Sequence, residues 1–154
     1  MLELREYRCG DEAALAAVYR DAVRRIGCDA YDARQVQAWT AYADEQRFAD
    51  QLCLGLTLLA VCGVRIAGFA QLHPADHVAL LYTAAAFARR GCATRLYAAL
   101  EARASAAGTQ RVHTEASRIA RHFFLKMGFR VIETEAVEHH GVAFERYRME
   151  KHIA

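Results

Sequence analysis

The chain has 154 residues, 55% of them hydrophobic and 25% charged, a length and balance that suit one compact domain with a real core. A net charge of +2 excludes a strong whole-surface field for nucleic acid or membrane, so any anion site must be local. The longest apolar run, Leu52 to Val64, is broken by Gly55 and Gly63 and does not read as a membrane span.

Met1 to Arg5 alternates like a strand instead of presenting a basic leader and an apolar stretch, so no export signal is expected. The cysteines, Cys9, Cys28, Cys53, Cys62 and Cys92, are odd in number and not spaced as metal ligands. They read as reduced, mostly buried thiols, and a cytoplasmic location is expected. No internal repeat, low-complexity tract or linker divides the chain, and residues 1–154 are read as a single domain.

A first strand runs from Leu2 to about Arg8. Leu15, Val18, Tyr19, Ala22, Val23 and Ile26 then recur at helical spacing behind Asp11 and Glu12, and Gly27 is read as the stop. Asp32 is an N-cap candidate for a second helix through Val36 and Trp39, and a short third segment covers Asp44 to Leu52. Leu56–Cys62 and Val64–Leu72 form a hairpin about Gly63, and Ala79–Thr83 is another strand. Ala84–Arg90 reads as a loop, Gly91–Ala107 as a helix closed by Gly108, and Gln110–Ala116 as a strand. Ser117 caps a helix carrying Ala120, Phe123, Phe124 and Met127, ended by Gly128. Phe129–Val137 and Val142–Met149 make a last hairpin about His140-Gly141. This order predicts an α/β (α+β) fold with a mixed central sheet, about six to seven strands, and helices on both faces.

The informative stretch is Leu80-Leu81-Tyr82-Thr83, a loop, then Arg89-Arg90-Gly91-Cys92-Ala93-Thr94. A strand ends, the chain turns, and a helix starts at a glycine. The first N–H groups of that helix have no internal partner and carry partial positive charge, which makes an anion site. Gly91 and Ala93 permit close approach to the backbone, and Arg89 and Arg90 add fixed charge suited to phosphate oxygens, a pyrophosphate in particular. Glycine is also an ordinary turn residue, and on this loop alone that reading stays open.

A second segment tips the balance. Ala88-Arg89-Arg90-Gly91-Cys92-Ala93 resembles the cofactor loop of the GNAT superfamily of acetyltransferases, which reads Gln or Arg, two variable residues, Gly, one variable residue, then Gly or Ala. Ser117, Ala120, Phe123-Phe124 and Gly128-Phe129 resemble that family's later segment at matching spacing. Ala88 departs from the usual polar residue, Ser117 from the usual Asn and Phe124 from the usual Tyr. Tyr31-Asp32, Gln35-Val36 and Trp39 are similar to a bacterial subgroup typified by YafP-like proteins.

The resemblance implies the GNAT fold and acetyl-coenzyme A as cofactor. Backbone groups of Leu81 and Thr83, with Tyr82 between them, would hold the pantetheine arm in a gap between two splayed strands. Residues Ala88 to Thr94 would hold the pyrophosphate, and Ser117 and Phe124 would lie near the pantetheine or the departing sulfur. An amine would attack the thioester directly, aided by the positioning of both substrates and by a base. The family's tyrosine acid falls at Phe124, so Tyr82, Cys92 at a helix N-terminus or an unaided thiolate are the alternatives. Glu115 is the first candidate base, against a salt bridge or a solvated strand end. By strand parity His113 shares its face, and His73 and His77 flank the turn before the cofactor strand. Tyr31, Trp39, Tyr42, Phe144 and Tyr147 could line the acceptor site or belong to the core. No metal is expected from the histidine spacing.

The acceptor implied is a small-molecule or peptide amine. The alternatives are a non-catalytic acyl-coenzyme A binding or sensing module, motivated by Ala88 and Phe124, and an acetyltransferase of aminoacyl-tRNA. The latter needs a nucleic-acid surface that the modest charge does not favour, Arg111, Arg118 and Arg121 being the one small patch. A homodimer through the open sheet edge near the last strands is implied by resemblance alone.

Overall fold

The apolar residues of the chain sort into two groups, one on each side of a single sheet. The computed structural model describes residues 1–154. In chain order the elements are β1 (Glu3–Glu6), α1 (Glu12–Ala30), α2 (Ala33–Ala41), α3 (Gln46–Leu52), β2 (Leu56–Cys62), β3 (Arg65–Leu72), β4 (His77–Thr83), α4 (Cys92–Ala106), β5 (Arg111–Ala116), α5 (Ala120–Lys126), β6 (Arg130–His139) and β7 (Val142–His152). Single 3-10 turns occur at Tyr42–Asp44 and at Ala85–Phe87, within the stretch read as loop. The seven strands form one sheet in the order β1-β2-β3-β4-β5-β7-β6. All neighbours are antiparallel except β4 and β5. No helix is long and apolar enough to cross a membrane.

Alternation along the central strands divides the core. Ala60 and Ala70 face α4 and α5, where Leu96, Tyr97, Leu100, Phe124 and Phe129 pack. Leu59, Phe69 and Leu80 face α1 and α3 and meet Leu15, Tyr19, Val23, Phe48 and Leu52. Both faces of β2 and β3 are therefore buried, which is why these segments read as near-continuous apolar runs. Burying side chains such as Leu59, Leu96 and Leu100, none of them accessible to solvent, stabilises the fold by about 1.5–3 kcal/mol each. Buried Glu150 on β7 is held by Arg111 at 3.0 Å and Arg130 at 2.8 Å, so its charge is compensated across β5, β7 and β6.

Two helix ends are instructive. Asp32 caps α2 as expected, accepting from the Gln35 N–H at 2.8 Å, while the Gln35 side chain accepts from the Asp32 N–H at 3.0 Å. This reciprocal pair satisfies two otherwise unpartnered donors. Gly27, however, does not stop α1, which continues to Ala30. Its role is packing: a Cβ placed there would overlap Cγ2 of Val36, so the missing side chain lets α2 cross close to α1. The last hairpin is longer than the sequence pattern indicated, and β6 lies at a free sheet edge.

Gly27→Ala tests this packing. Alanine favours a helix over glycine by about 1 kcal/mol, but the overlap with a stiff β-branched side chain reverses the sign, for a net loss of about 1–2 kcal/mol in urea unfolding. The same change in a Val36→Ala background is expected to cost nothing or to stabilise.

Candidate active site

The site begins where the sheet forks. β4 pairs with β3 from Val78 to Thr83, but with β5 only at His77↔His113 and Val78↔Thr114. Beyond these two rungs the strands part. The Thr114 hydroxyl donates to the Val78 carbonyl at 2.8 Å and closes the apex. The Ala84 N–H donates to the Ala67 carbonyl at 2.8 Å. By ladder alternation Tyr82 also bonds toward β3, and the backbone groups of Leu81 and Thr83 point into the gap.

At the far end of β4 the chain turns through Arg89 (φ 61°) and Gly91 (φ 78°) into α4. The first helical bond is Arg95 N–H to Gly91 carbonyl at 3.0 Å, so the N–H groups of Cys92, Ala93 and Thr94 have no helical partner. A Cβ added at Gly91 would meet nothing within 4 Å, so the space before the helix is open. Arg89 and Arg90 are exposed beside it, Arg90 lying 5.7 Å over the Phe87 ring. Half-buried Ala88 contributes a methyl group and no donor. These groups fit a pyrophosphate: free amides, positive helix end, two guanidinium groups and no side chain in the way.

Cys92 is different. Its side chain is buried in the core against Gly68, where an added Cβ would come within 2.8 Å of the sulfur. Burial pushes its thiol up, outweighing the opposing hydrogen bond to Thr83 and the charge of Arg95. The acid role weighed for Cys92 from its place at a helix start is therefore corrected: the helix terminus is near, but the thiol faces the core.

A cleft of about 490 Å³ runs from the fork to the α1–α2 corner. Leu81, Tyr82, Glu115, Ser117 and Phe124 line its inner end. At its outer end Tyr31 and Trp39 meet edge-on at 5.3 Å, with Phe144 at 6.1 and 6.3 Å from them. Two bonds hold this corner over the cleft: the Tyr31 hydroxyl accepts from the Arg118 N–H at 3.1 Å, and the Gln35 amide donates to the Ala143 carbonyl at 3.1 Å. The Ser117 hydroxyl accepts from the Ala120 N–H at 3.1 Å, fixing the turn into α5. The Tyr82 ring packs on Tyr19 at 4.7 Å and Phe69 at 5.7 Å, and burial holds its phenol protonated well above the ordinary range. Phe124 sits among Tyr97, Phe123 and Phe129.

Tyr147 does not join the acceptor end. It alternates with Phe144 and Arg146 along β7, so it faces the opposite layer. There it is buried under the Arg121 guanidinium at 4.5 Å, with its hydroxyl donating to Glu145 at 2.5 Å. This corrects its assignment to substrate binding.

The fork also gathers a polar cluster. Nε2 of His77 is 2.8 Å from Oε1 of Glu115, and Nδ1 is 3.0 Å from the His73 carbonyl. His113, on the same face as Glu115, stacks on His77 with centroids 4.9 Å apart and planes 23° apart. Its Nε2 is 3.2 Å from Asp76 and its Nδ1 3.9 Å from the other Glu115 oxygen. The ligand atoms of His77, His113 and Glu115 lie within 4.8 Å of one another, but the two imidazole planes are stacked 23° from parallel, so their in-plane lone pairs run side by side. The hydrogen bond from His77 holds the Glu115 carboxyl below the usual carboxylate range, and Glu115 pushes His77 up against the opposing effect of burial. Parity placed His113 beside Glu115. The nearness of His77 depends on the parallel β4/β5 rung, which no local pattern announces.

An acetyltransferase (GNAT) domain model matches residues 28–151. The chain belongs to the GNAT acetyltransferase family. It is 27% identical over 148 residues to the uncharacterised N-acetyltransferase YafP of Escherichia coli K12, covering 96% of this chain and 94% of that protein. A GCN5-related N-acetyltransferase from Rhodopseudomonas palustris superposes with a TM-score of 0.95 at 32% identity, over 98% of this chain and 95% of that one. The PaiA N-acetyltransferase of Thermoplasma acidophilum, solved with coenzyme A, superposes at 0.80 with 18% identity over 99% of each chain. As a GNAT protein this chain is an acetyl-CoA-dependent N-acetyltransferase.

Burial makes a prediction for the thiols. Cys9, Cys28 and Cys53 are exposed and Cys92 is buried. Mass-mapped iodoacetamide labelling of the folded enzyme is expected to modify the three exposed cysteines first and Cys92 only on unfolding. Early labelling of Cys92 would contradict the burial argument.

Proposed function

We propose that this enzyme transfers the acetyl group of acetyl-CoA directly to a primary amine lodged at the aromatic end of the cleft. The observation that supports the reading is the fork in the sheet, with a free helix N-terminus and two arginines past the end of β4 and a cleft that holds a carboxylate and an aromatic chamber. The N–H groups of Cys92, Ala93 and Thr94, with Arg89 and Arg90, hold the pyrophosphate. Backbone groups of Leu81 and Thr83 hold the pantetheine arm as an extra strand would. Bound acetyl-CoA supplies a thioester whose acyl carbon accepts the amine while the coenzyme leaves as a thiolate.

The chain's own residues orient and take a proton. Tyr31, Trp39 and Phe144 enclose the acceptor's apolar part and exclude water. Glu115 lies where the two ends meet and removes a proton from the amine, whose lone pair is thereby free to attack. An N–H group at the fork is placed to stabilise negative charge developing on the carbonyl oxygen. Phe124 carries no proton, and burial makes the Tyr82 phenol on the cofactor strand a weaker acid than usual, so the coenzyme leaves as a thiolate unaided. The acceptor is a small molecule or a peptide N-terminus small enough to pass the Gln35–Ala143 and Tyr31–Arg118 ties. Five free thiols agree with a reducing, cytoplasmic setting.

Isothermal calorimetry tests the cofactor half. The wild type is expected to bind acetyl-CoA, and Gly91→Asp, which sets a carboxylate before the helix N-terminus, is expected to weaken it at least about tenfold, or ~1.4 kcal/mol, with circular dichroism unchanged. Absence of binding to the wild type would overturn the assignment. Binding without thiol release across an amine panel would favour the non-catalytic sensing module instead.

A further inference from the structure

We propose that Tyr42 selects the acceptor: its hydroxyl oxygen, whose one hydrogen is committed to Gln51, accepts a hydrogen bond from a hydroxyl or second amino group that the acceptor carries beside the amine to be acetylated. This rests on the acetyl-transfer reading above and names the substrate class of the same site, an amine with a donor group on its body.

The chain of bonds starts at Gln71 on β3, which no solvent reaches. Its Nε2 lies 2.6 Å from the Gln51 carbonyl, 2.9 Å from the Leu54 carbonyl and 3.0 Å from Thr57 Oγ1. A carbonyl oxygen only accepts, so the nitrogen must occupy this end of the amide, and Oε1 is left to accept. The Gln51 side chain, 3.2 Å away, must then present its Nε2 to Gln71, and its Oε1 faces the Tyr42 hydroxyl. Two oxygens in contact need a hydrogen between them, and of these two only the phenol has one to give. Tyr42 therefore donates inward, and toward any other group its oxygen has lone pairs alone to offer.

Those lone pairs have no partner in the protein. Gln51 is the one group that hydrogen-bonds the Tyr42 hydroxyl. The neighbouring Tyr19 hydroxyl spends its own hydrogen on the Trp39 carbonyl at 2.9 Å. Tyr42 and Gln51 both line the cleft, so the hydroxyl end of the ring reaches it. Tyr42 opens the turn that follows α2, close after Trp39, which places it at the acceptor end. Its ring is wedged edge-on against Phe48 at 5.6 Å and Tyr19 at 6.1 Å. A fixed oxygen that can only accept discriminates by polarity: it favours a donor and leaves the lone pairs of an ether oxygen facing its own.

Gln71 also serves the fold. With Thr57, which donates to the Leu52 carbonyl at 3.0 Å, it satisfies carbonyls at the end of α3. That task uses only the nitrogen of its amide. The oxygen would lie unpaired in an apolar layer if the Gln51 side chain did not meet it. The polarity of Tyr42 is thus set from the sheet through two amides, neither of which carries charge. Burial pushes the Tyr42 phenol above its ordinary range, so its hydrogen stays in place at neutral pH.

The test is calorimetry of the enzyme, with and without coenzyme A, against three sets of amines of matched chain length. These are ω-amino alcohols, the alkylamines in which a methyl group replaces the hydroxyl, and the methyl ethers of the alcohols. At the chain length that spans the chamber the alcohol is expected to bind at least about fivefold tighter than the alkylamine, as for one neutral hydrogen bond, and the ether no better than the alkylamine. In Tyr42→Phe the alcohol and the alkylamine are expected to bind alike. Gln51→Met keeps the bulk and frees the Tyr42 hydrogen to turn to the cleft, and it is expected to bind the ether at least about fivefold more tightly than the wild type does. Lost packing would instead weaken all three sets together and keep their order. No alcohol preference at any chain length, a preference that survives Tyr42→Phe, or an ether still refused by Gln51→Met would overturn the proposal. An alcohol preference without release of thiol from acetyl-CoA would uphold the polarity of the site and overturn the transferase reading instead.

Discussion

The structure depends on a parallel strand pair that stops after two rungs. β4 is tied to β3 along nearly its whole length, so when β5 turns away after Val78↔Thr114 the inward backbone groups of β4 keep their direction and lose their partner. Unpaired backbone groups in a sheet interior must find water or a ligand. The fork is thus a strand-shaped vacancy in the ladder, suited to an extended chain with amide groups of its own. Its apex is pinned by the Thr114 hydroxyl on the Val78 carbonyl and its two walls are backed by separate apolar clusters. The walls therefore stay apart without a loop to hold them.

Charge is arranged locally along the cleft, which reconciles a nearly neutral chain with an anion site. Arg89 and Arg90 stand exposed beside the α4 terminus. At the opposite end charges are paired: Arg146 with Glu135 at 2.6 Å and Arg47 with Glu45 at 2.7 Å. The gradient favours a phosphate at one end only. Between the ends lies the His77–Glu115 pair, in contact at 2.8 Å.

The elements were largely legible in sequence because their signals are local. The hairpin about Gly63, the Asp32 cap and the glycine before α4 each follow from residues within a few positions of one another. Local signals misled where a distant contact decided the outcome. Gly27 carries the usual mark of a helix end, yet Val36 on the next helix explains it. Cys92 has the position of an activated thiol, yet Gly68 on β3 leaves a socket that draws it inward. Tyr147 looked like an acceptor aromatic until the β7 register showed Phe144 and Arg146 on the cleft face. His77 and His113 are brought abreast only by a parallel rung, and parallel pairing leaves no trace in either strand's own pattern.

Two of the three departures from the family pattern acquire a physical sense in this geometry. Phe124 closes an aromatic cluster with Tyr97, Phe123 and Phe129 at the inner end of the cleft, where its ring adds apolar surface and no donor. Ala88 cedes its contact to a loop that already has Arg89, Arg90 and three free N–H groups, so the phosphate end remains well supplied. The proton work left undone at Phe124 concerns the departing thiolate, an inherently good leaving group. Removal of the amine proton is the harder demand, because a protonated amine cannot attack at all. On the reading proposed here the sequence has relaxed the easier requirement and kept Glu115, at the fork, for the harder one.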